Sequence, residues 1–291
     1  MKNGLSIVII TYNRKNELKQ TLGELHNEQC SFPWEIIVVD QNSTDGTPSL
    51  EELKDDRIRY IRLDKNLGVA GGRNVGASHC AYEYMFFIDD DTSIAQGNSL
   101  ERIYSYVSGQ DKYSMFAFQI RNLEDGLYNW PYGKEKINMV NDMFDCKFYI
   151  GCGHIIKKSF FDQVNGYSDS LFFWGEETEL ILKSITVQKF PVRYNGELKL
   201  VHRVHGDGRN GDANRFYYQV RNRFFLIRTY YPFWSKVFYS TYFWAGYLVK
   251  GMKNSWLKEF RKGLRDVGSL EKDENTQKLT YAQLRCYYRL K

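Results

Sequence analysis

The 291-residue chain holds five cysteines, and Cys30, Cys80, Cys146, Cys152 and Cys286 are odd in number and scattered. That distribution excludes a disulfide framework, and the one close couple, Cys146 and Cys152, has a spacing that fits neither a zinc ribbon nor a redox pair. Reduced, mostly buried thiols in a cytoplasmic protein are the expectation. Long apolar runs are missing as well. The longest uncharged stretch, 237–249, has 13 residues, whereas a membrane span needs roughly 20. Met1-Lys2-Asn3-Gly4 leads into a short strand-like run with no apolar leader core or cleavage site, so secretion is not expected. There is no internal repeat, no low-complexity linker and no RNP-like strand motif, which argues against a nucleic-acid partner.

Aromatic residues are plentiful, at 16% with 22 Tyr and 19 Phe. They suit an ordinary core, a surface that stacks sugars or bases, or a membrane interface. With 43% hydrophobic and 26% charged residues the composition is globular, and the length allows one large domain or one domain with an appendage. The net charge of +5 is unevenly placed: positions 215–266 carry eleven Lys or Arg against two acids, Glu259 and Asp266. Such a segment suits an anionic partner such as phospholipid, polyphosphate or nucleic acid, the last disfavoured by the missing RNP-like motif.

Phe86-Phe87-Ile88-Asp89-Asp90-Asp91 carries the most information. An apolar run that stops in acids reads as a buried strand emerging at a sheet edge. Three adjacent carboxylates repel one another, and a divalent cation that bridges to substrate phosphates would give a reason to keep them together. The alternative is a solvated acidic turn. Upstream, residues 5–10, 35–40 and 58–61 read as further strands, with a helix through Leu18, Leu22 and Leu25. Residues 41–47 form a polar turn suited to cap a following helix, and 66–76 a glycine-rich loop leading into one. Strand and helix alternate as in a parallel α/β sheet. Ligands of such sheets bind outside the carboxyl ends of the strands, and the four exits carry Thr11/Tyr12, Asp40, the Asn66 loop and Asp89 to Asp91.

The second half is less regular. Residues 111–120 read as a strand, 121–136 as a loop that would shape an acceptor pocket, and 148–154 as a strand broken by glycines. Residues 159–164 read as a short helix, and Gly175-Glu176-Glu177-Thr178-Glu179 opens another with acids in its first turn.

Taken in order, these pieces resemble the GT-A-fold, family 2 inverting glycosyltransferases, which use nucleotide-sugar donors. The resemblance rests on Ser6-Ile7-Val8-Ile9-Ile10-Thr11-Tyr12-Asn13-Arg14, Val38-Val39-Asp40 with Ser43-Thr44-Asp45-Gly46-Thr47, and Asn66-Leu67-Gly68-Val69-Ala70-Gly71-Gly72-Arg73-Asn74. It continues through Asp89-Asp90-Asp91, Gly166-Tyr167, Trp174-Gly175-Glu176-Glu177 and the His202 segment. It implies a GT-A, Rossmann-like, mostly parallel sheet flanked by helices over 1–215, with a nucleotide-sugar half (about 1–110) and an acceptor half (about 111–215). A C-terminal helical, aromatic and basic appendage would occupy 216–291.

By this resemblance Thr11, Tyr12 and Arg14 border the nucleotide, with Tyr12 near the base. Asp40 accepts a hydrogen bond from base or ribose, its alternative being a helix cap. Asn66, Arg73 and Asn74 face the diphosphate or donor sugar. Asp89 and Asp91 are the DXD pair, with Asp89 and Asp90 on the donor side and Asp91 on the metal, Mn²⁺ or Mg²⁺. His202 completes the metal shell, with His205 as its rival. Glu177 stands where the family usually has Asp and is the candidate base, while Glu176 and Glu179 can instead be first-turn helix acids.

Tyr217-Tyr218-Gln219-Val220-Arg221-Asn222-Arg223 is similar to the arginine-asparagine segment of nonprocessive members. Either Arg221 or Arg223 then meets the diphosphate, or both lie on a solvated helix face. The implied partners are a UDP-, dTDP- or GDP-linked sugar and a glycan, lipid-linked or protein-linked acceptor. The aromatic and basic C-terminal region would lie on an anionic membrane at its cytoplasmic face, or pack on the catalytic domain or another copy of the chain. The alternatives in other classes are a non-catalytic nucleotide-sugar-binding scaffold and a sugar nucleotidyltransferase. The latter would need a glycine-rich basic signature after the first strand, which Thr11-Tyr12-Asn13-Arg14 is not.

Overall fold

A computed structural model describes residues 2–123, 139–187, 192–203, 212–272 and 276–289. Strand β1 (Lys2–Thr11) runs through the middle of the N-terminal sheet, parallel to β2 (Trp34–Asp40) on one side and β4 (Tyr82–Asp89) on the other. Strand β3 (Ile58–Arg62) extends this parallel sheet beyond β2. Its central strands are continuous apolar runs because both faces are covered. Ile7 and Ile9 pack in the layer of helix α1 (Lys15–His26), whose Leu18, Leu22 and Leu25 are buried as their spacing predicts. Val8 and Ile10 point into the opposite layer.

The sheet is parallel only as far as β4. Strand β8 (Gly153–Lys157) runs antiparallel to both β4 and β6 (Met115–Asn122). Strand β9 (Val192–His202) lies parallel to β6 and antiparallel to β7 (Met143–Cys146) and to the three-residue β5 (Thr92–Ile94). The described residues thus form a mixed sheet in the order β3-β2-β1-β4-β8-β6-β9-β5 with β7 beside β9.

Helix α2 (Gly68–Ser78) corrects the reading of 66–76 as a loop: its glycines lie inside the helix. Gly76 sits so close to Val8 and Val39 that a side chain there would collide with Val8. Only Gly68, with φ of +76°, serves a left-handed turn at the start. The helix expected after the polar turn is replaced by two short 3₁₀ turns, Thr47–Ser49 and Glu51–Lys54. The strand expected at 111–120 begins at Met115, and of 148–154 only the last two residues are extended, as the start of β8. Helices α3 (Leu100–Ser108), α4 (Lys158–Gln163) and α5 (Glu176–Val187) complete this half. Most of the acceptor loop expected at 121–136, and His205, fall outside the described residues.

The C-terminal region is helical: α6 (Ala213–Tyr230), α7 (Phe233–Lys253), α8 (Leu257–Asp266) and α9 (Tyr281–Arg289). Phe225, Leu226, Tyr230 and Tyr231 lie in the same buried layer as Val8 and Ile10, so α6 shares the core of the sheet.

Candidate active site

The registers Thr11↔Asp40 and Ile10↔Asp89 bring the carboxyl ends of β1, β2 and β4 level, and a cleft of about 680 Å³ opens there. Its floor is the acid triplet. Asp90 is buried, accepts a hydrogen bond from Thr11 Oγ1 at 2.8 Å and pairs with Arg14 Nε at 3.0 Å. Asp91 Oδ2 accepts from Arg14 Nη2 at 2.5 Å. The pairing of β5 with β9 sets Thr92 opposite His202, so the imidazole arrives beside the acids, and Arg203 N donates to Asp91 O at 2.9 Å. His202 Nε2 lies 3.1 Å from Asp91 Oδ1 and 4.0 Å from Asp89 Oδ2.

The electrostatics of the triplet are uneven. Burial drives Asp90 up to about 7 against the opposing pull of Arg14 and Thr11. Burial also pushes Asp91 up, but hydrogen bonding and charge from His202 and Arg14 outweigh it and hold Asp91 below its ordinary value. On His202, burial works against the charged ring, yet the neighbouring Cys152 and the Asp91 carboxylate outweigh it, and the direction that the Asp91 contact supports is upward.

Asp91 Oδ1 is buried and has no partner other than His202 among the described residues, an arrangement that suits a cation. Ligand atoms of Asp89, Cys152 and His202 lie within 4.8 Å of one another. Burial raises the Cys152 thiol above its ordinary value, so the effective donors are two carboxylates and, once a cation displaces its proton, the His202 imidazole. That oxygen-rich set fits Mn²⁺ or Mg²⁺ better than a thiolate-seeking metal.

Behind Asp89 lies a second acidic group. Arg73, only 3% exposed, donates to Asp89 Oδ1 at 3.2 Å, to Glu176 Oε1 at 3.3 Å and to Gly151 O at 2.8 Å. Gly151 also abuts the Glu177 carboxylate, where a side chain at 151 would press on both Glu177 and Arg73. Burial raises both glutamates: Glu176 further through the negative charge of Glu177, and Glu177 despite the pull of Arg73. Glu177 is half-buried at the first turn of α5, while Glu179 faces inward, accepting from Ser168 N and Tyr230 Oη.

Thr11, Tyr12, Arg14, Asn66 and the acid triplet border the cleft, with Tyr12 46% exposed on its wall. Three expected donor contacts are placed elsewhere. Asp40 is fully buried, and its carboxylate accepts from Tyr60 Oη at 2.5 Å and Ser43 N at 2.8 Å. Arg73 points into the protein. Asn74 is engaged by the segment after α4, donating to Tyr167 O and Asp169 Oδ1 and accepting from Tyr167 N.

Gln41, which the sequence reading passed over, lines the cleft and accepts from Leu67 N. Neighbours on an extended chain point to opposite sides, and that alternation was the available signal. Phe172 and Phe173 were likewise missed and form the far wall. They are gripped by α6: Asn222 donates to Phe173 O and Trp174 O, and Arg221 to Ser170 O. Arg223 lies over the rings of Trp174 and Phe243. Arg221 and Arg223 therefore support the wall rather than lie on a solvated helix face.

Residues 6–164, more than half of the chain, match the family described as Glycosyl transferase family 2. The chain belongs to glycosyl transferase family 2. Residues 134–202 also match the N-terminal domain of galactosyltransferase. The dTDP-rhamnosyl transferase RfbF of Shigella flexneri is 26% identical over 254 residues, 78% of this chain and 81% of its own. The minor teichoic acid biosynthesis protein GgaA of Bacillus subtilis (strain 168) is 27% identical over 195 residues, 61% of this chain. The match spans only 43% of GgaA. Among solved structures, GalNAc-T7 with UDP, GalNAc and Mn²⁺ superimposes with a TM-score of 0.58 at 16% identity, covering 78% of this chain and 48% of that one. The mannosyltransferase PcManGT from Pyrobaculum calidifontis, in complex with GDP-Man and Mn²⁺, gives 0.57 at 15% identity, covering 76% and 61%. The family member described here has their GT-A fold.

Proposed function

We propose that this chain is an inverting, metal-dependent glycosyltransferase that moves a sugar from a nucleoside-diphosphate sugar to a hydroxyl of a glycan, glycolipid or glycoprotein acceptor. The observation that carries the reading is the convergence on one sheet edge of Asp89, Asp91 and His202, with the Glu177 carboxyl reached from Asp89 through Arg73. Relatives named for teichoic acid biosynthesis and dTDP-rhamnosyl transfer support a place in cell-surface polymer synthesis, and with the UDP and GDP-Man of the solved neighbours they support UDP, dTDP or GDP as the donor nucleotide. The catalytic domain is assigned to 1–215, with a donor half over 1–110 and an acceptor half over 111–215, and the helical region to 216–291. The cytoplasm, at the inner face of the membrane, is the proposed location.

Tyr12 offers an exposed ring against which the base stacks, and Gln41 and Thr11 border the same pocket. Asp89, Asp91 and His202 would hold Mn²⁺ or Mg²⁺, which when bound offsets the negative charge developing on the departing diphosphate. Arg14 sets Asp90 and Asp91 by pairing with both. Glu177 takes the proton of the acceptor hydroxyl as that oxygen attacks the anomeric carbon from the face opposite the diphosphate. The bond from the anomeric carbon to the diphosphate oxygen breaks with its electron pair on that oxygen, and the configuration inverts without a covalent intermediate. Burial raises the Glu177 carboxylate above its ordinary value and so makes it a stronger base than a solvated one.

The test is slow hydrolysis of UDP-, dTDP- and GDP-linked sugars with and without Mn²⁺, for wild type and Asp91→Ala. Metal-dependent release of one nucleoside diphosphate, lost in the variant, is expected. Silence across the panel together with no nucleotide binding by calorimetry would overturn the reading and leave a scaffold role.

A further inference from the structure

Helix α7 has two faces of different character. Its inner face is fully engaged: Tyr239 stacks on Tyr288 at 4.7 Å, Phe243 lies under the Arg223 guanidinium, and Tyr247 meets Phe216 edge-on. Its outer face carries Trp234, Val237, Phe238, Tyr242, Val249 and Met252, at helical spacing and all exposed. Trp234 is 71% exposed and Phe238 and Tyr242 are each 64% exposed. From Trp234 to Met252 the stripe runs about 27 Å at the rise of an α-helix. Soluble surfaces carry isolated apolar side chains, but an exposed apolar stripe of this length, aromatic from Trp234 to Tyr242, calls for a partner.

Charge says which partner. Helix α7 contains no acid, and of its three lysines Lys250 is turned to α6, donating to Gln219 and lying over the Phe216 ring, while Lys253 is exposed and Lys236 half-buried. Near its N-terminal end Lys236 shares its surroundings with Arg228, Lys272 and Lys278. At its C-terminal end α8 adds Lys258, Arg261, Lys262 and Arg265, with Glu259 and Asp266 the acids there. An apolar ridge rich in Trp, Phe and Tyr with cationic groups at both ends is the pattern of a helix lying in the plane of an anionic bilayer. Among the described residues no helix is long and apolar enough to cross one, which suits a surface contact.

We infer that α7 is a membrane-docking face: its Trp234, Phe238 and Tyr242 ridge enters the headgroup region of an anionic bilayer, and the lysines and arginines at its two ends take lipid phosphates. The same element couples to the cleft. Helix α6 packs its Arg223 between Phe243 of α7 and Trp174, and its Asn222 holds the carbonyl of Phe173. A protein lying on α7 therefore keeps the Phe172 and Phe173 wall in fixed relation to the bilayer, as an acceptor carried on a lipid would require. The docking inference rests on the location proposed above but not on the transfer reaction, so donor hydrolysis measured on the same proteins separates the two.

The test is co-sedimentation of the full chain with vesicles of phosphatidylcholine alone or with phosphatidylglycerol, at low and high salt. Wild type is expected to bind the anionic vesicles, and more weakly as salt rises. The triple variant Trp234→Ser, Phe238→Ser, Tyr242→Ser is expected to lose binding tenfold or more. Lys253→Gln with Lys258→Gln is expected to lose about fivefold per cation, on anionic vesicles only. Both variants should keep the wild-type far-ultraviolet spectrum and donor hydrolysis, since neither touches the cleft. Equal sedimentation of the triple variant would overturn the inference. So would a wild type that ignores vesicles, and if that protein is also a dimer in the ultracentrifuge which the triple variant abolishes, the ridge belongs to a second copy of the chain.

Discussion

Replacing Arg73 by Met tests how the interior behind the acid triplet is held. The guanidinium is buried and donates to Asp89, Glu176 and the Gly151 carbonyl, so the variant leaves the Glu176 carboxyl, 4% exposed, without its counter-charge. Breaking one side of a buried ion pair costs about 3–5 kcal/mol, a large share of the 5–15 kcal/mol that holds a typical domain. The loss depends on pH in a fixed direction. Arg73 pulls down the pKa of both Glu176 and Glu177, so removing it raises both further in the folded state. A group with a raised folded pKa contributes stability that is present below its unfolded pKa, about 4.3 for Glu, and lost as pH rises through the folded value. The deficit of Arg73→Met should therefore grow only above the wild-type folded values, about 8 for Glu176, so it should be smaller at pH 7 than at pH 9, by up to about 1.4 kcal/mol per pH unit for each carboxyl. Urea unfolding of wild type and variant at both pH values measures it, and Arg73→Met with Glu176→Gln should recover part of the loss. A deficit under about 1 kcal/mol, or one equal at pH 7 and pH 9, would refute the assignment of Arg73 as the buried counter-ion.

Turnover should carry an acid limb, because Glu177 must be ionised to accept a proton and burial raises its pKa above the ordinary value; a rate unchanged down to pH 5 would remove Glu177 as the base. Tyr12→Ala should weaken donor binding by about 1–3 kcal/mol, the scale of one base stacked on an aromatic ring, read as a higher KM with kcat little changed. Gly76→Ala should cost about 1–3 kcal/mol through overpacking against Val8, seen as a lower unfolding midpoint with the urea slope unchanged.

Much of the donor half was legible because its signals are local. Strands β1, β2 and β4 are buried on both faces and so appear as apolar runs ending in polar residues, and the rule that ligands gather at carboxyl ends of parallel strands then places Thr11, Asn66 and Asp89 together. The misreadings come from packing that no short window contains. The glycines of 68–76 looked like a loop because their backbone freedom is the obvious property, yet Gly76 is needed for its missing side chain, which lets α2 lie against Val8 and Val39. Arg73 and Asn74 were expected at the diphosphate because cations and amides suit phosphate. Their partners, Glu176 and Asp169, lie about a hundred residues away, and only the tertiary fold shows that those partners claim them first.

The same logic explains why His202 was found and the outer face of α7 was not assigned. His202 is carried into the site by β9, which pairs with the three residues that follow Asp91. Any histidine ending that strand must arrive beside the acids, so a motif match sufficed to name it. The aromatic segment 237–249 offered no such constraint, because its composition suits a core helix and a surface helix equally. What separates them is which rings α6 and α9 already occupy. Tyr239, Phe243 and Tyr247 are taken, and the helical period then leaves Trp234, Phe238 and Tyr242 on the outside with cations at both ends. A sequence window records how apolar a helix is; only its neighbours determine which side of it remains to be covered.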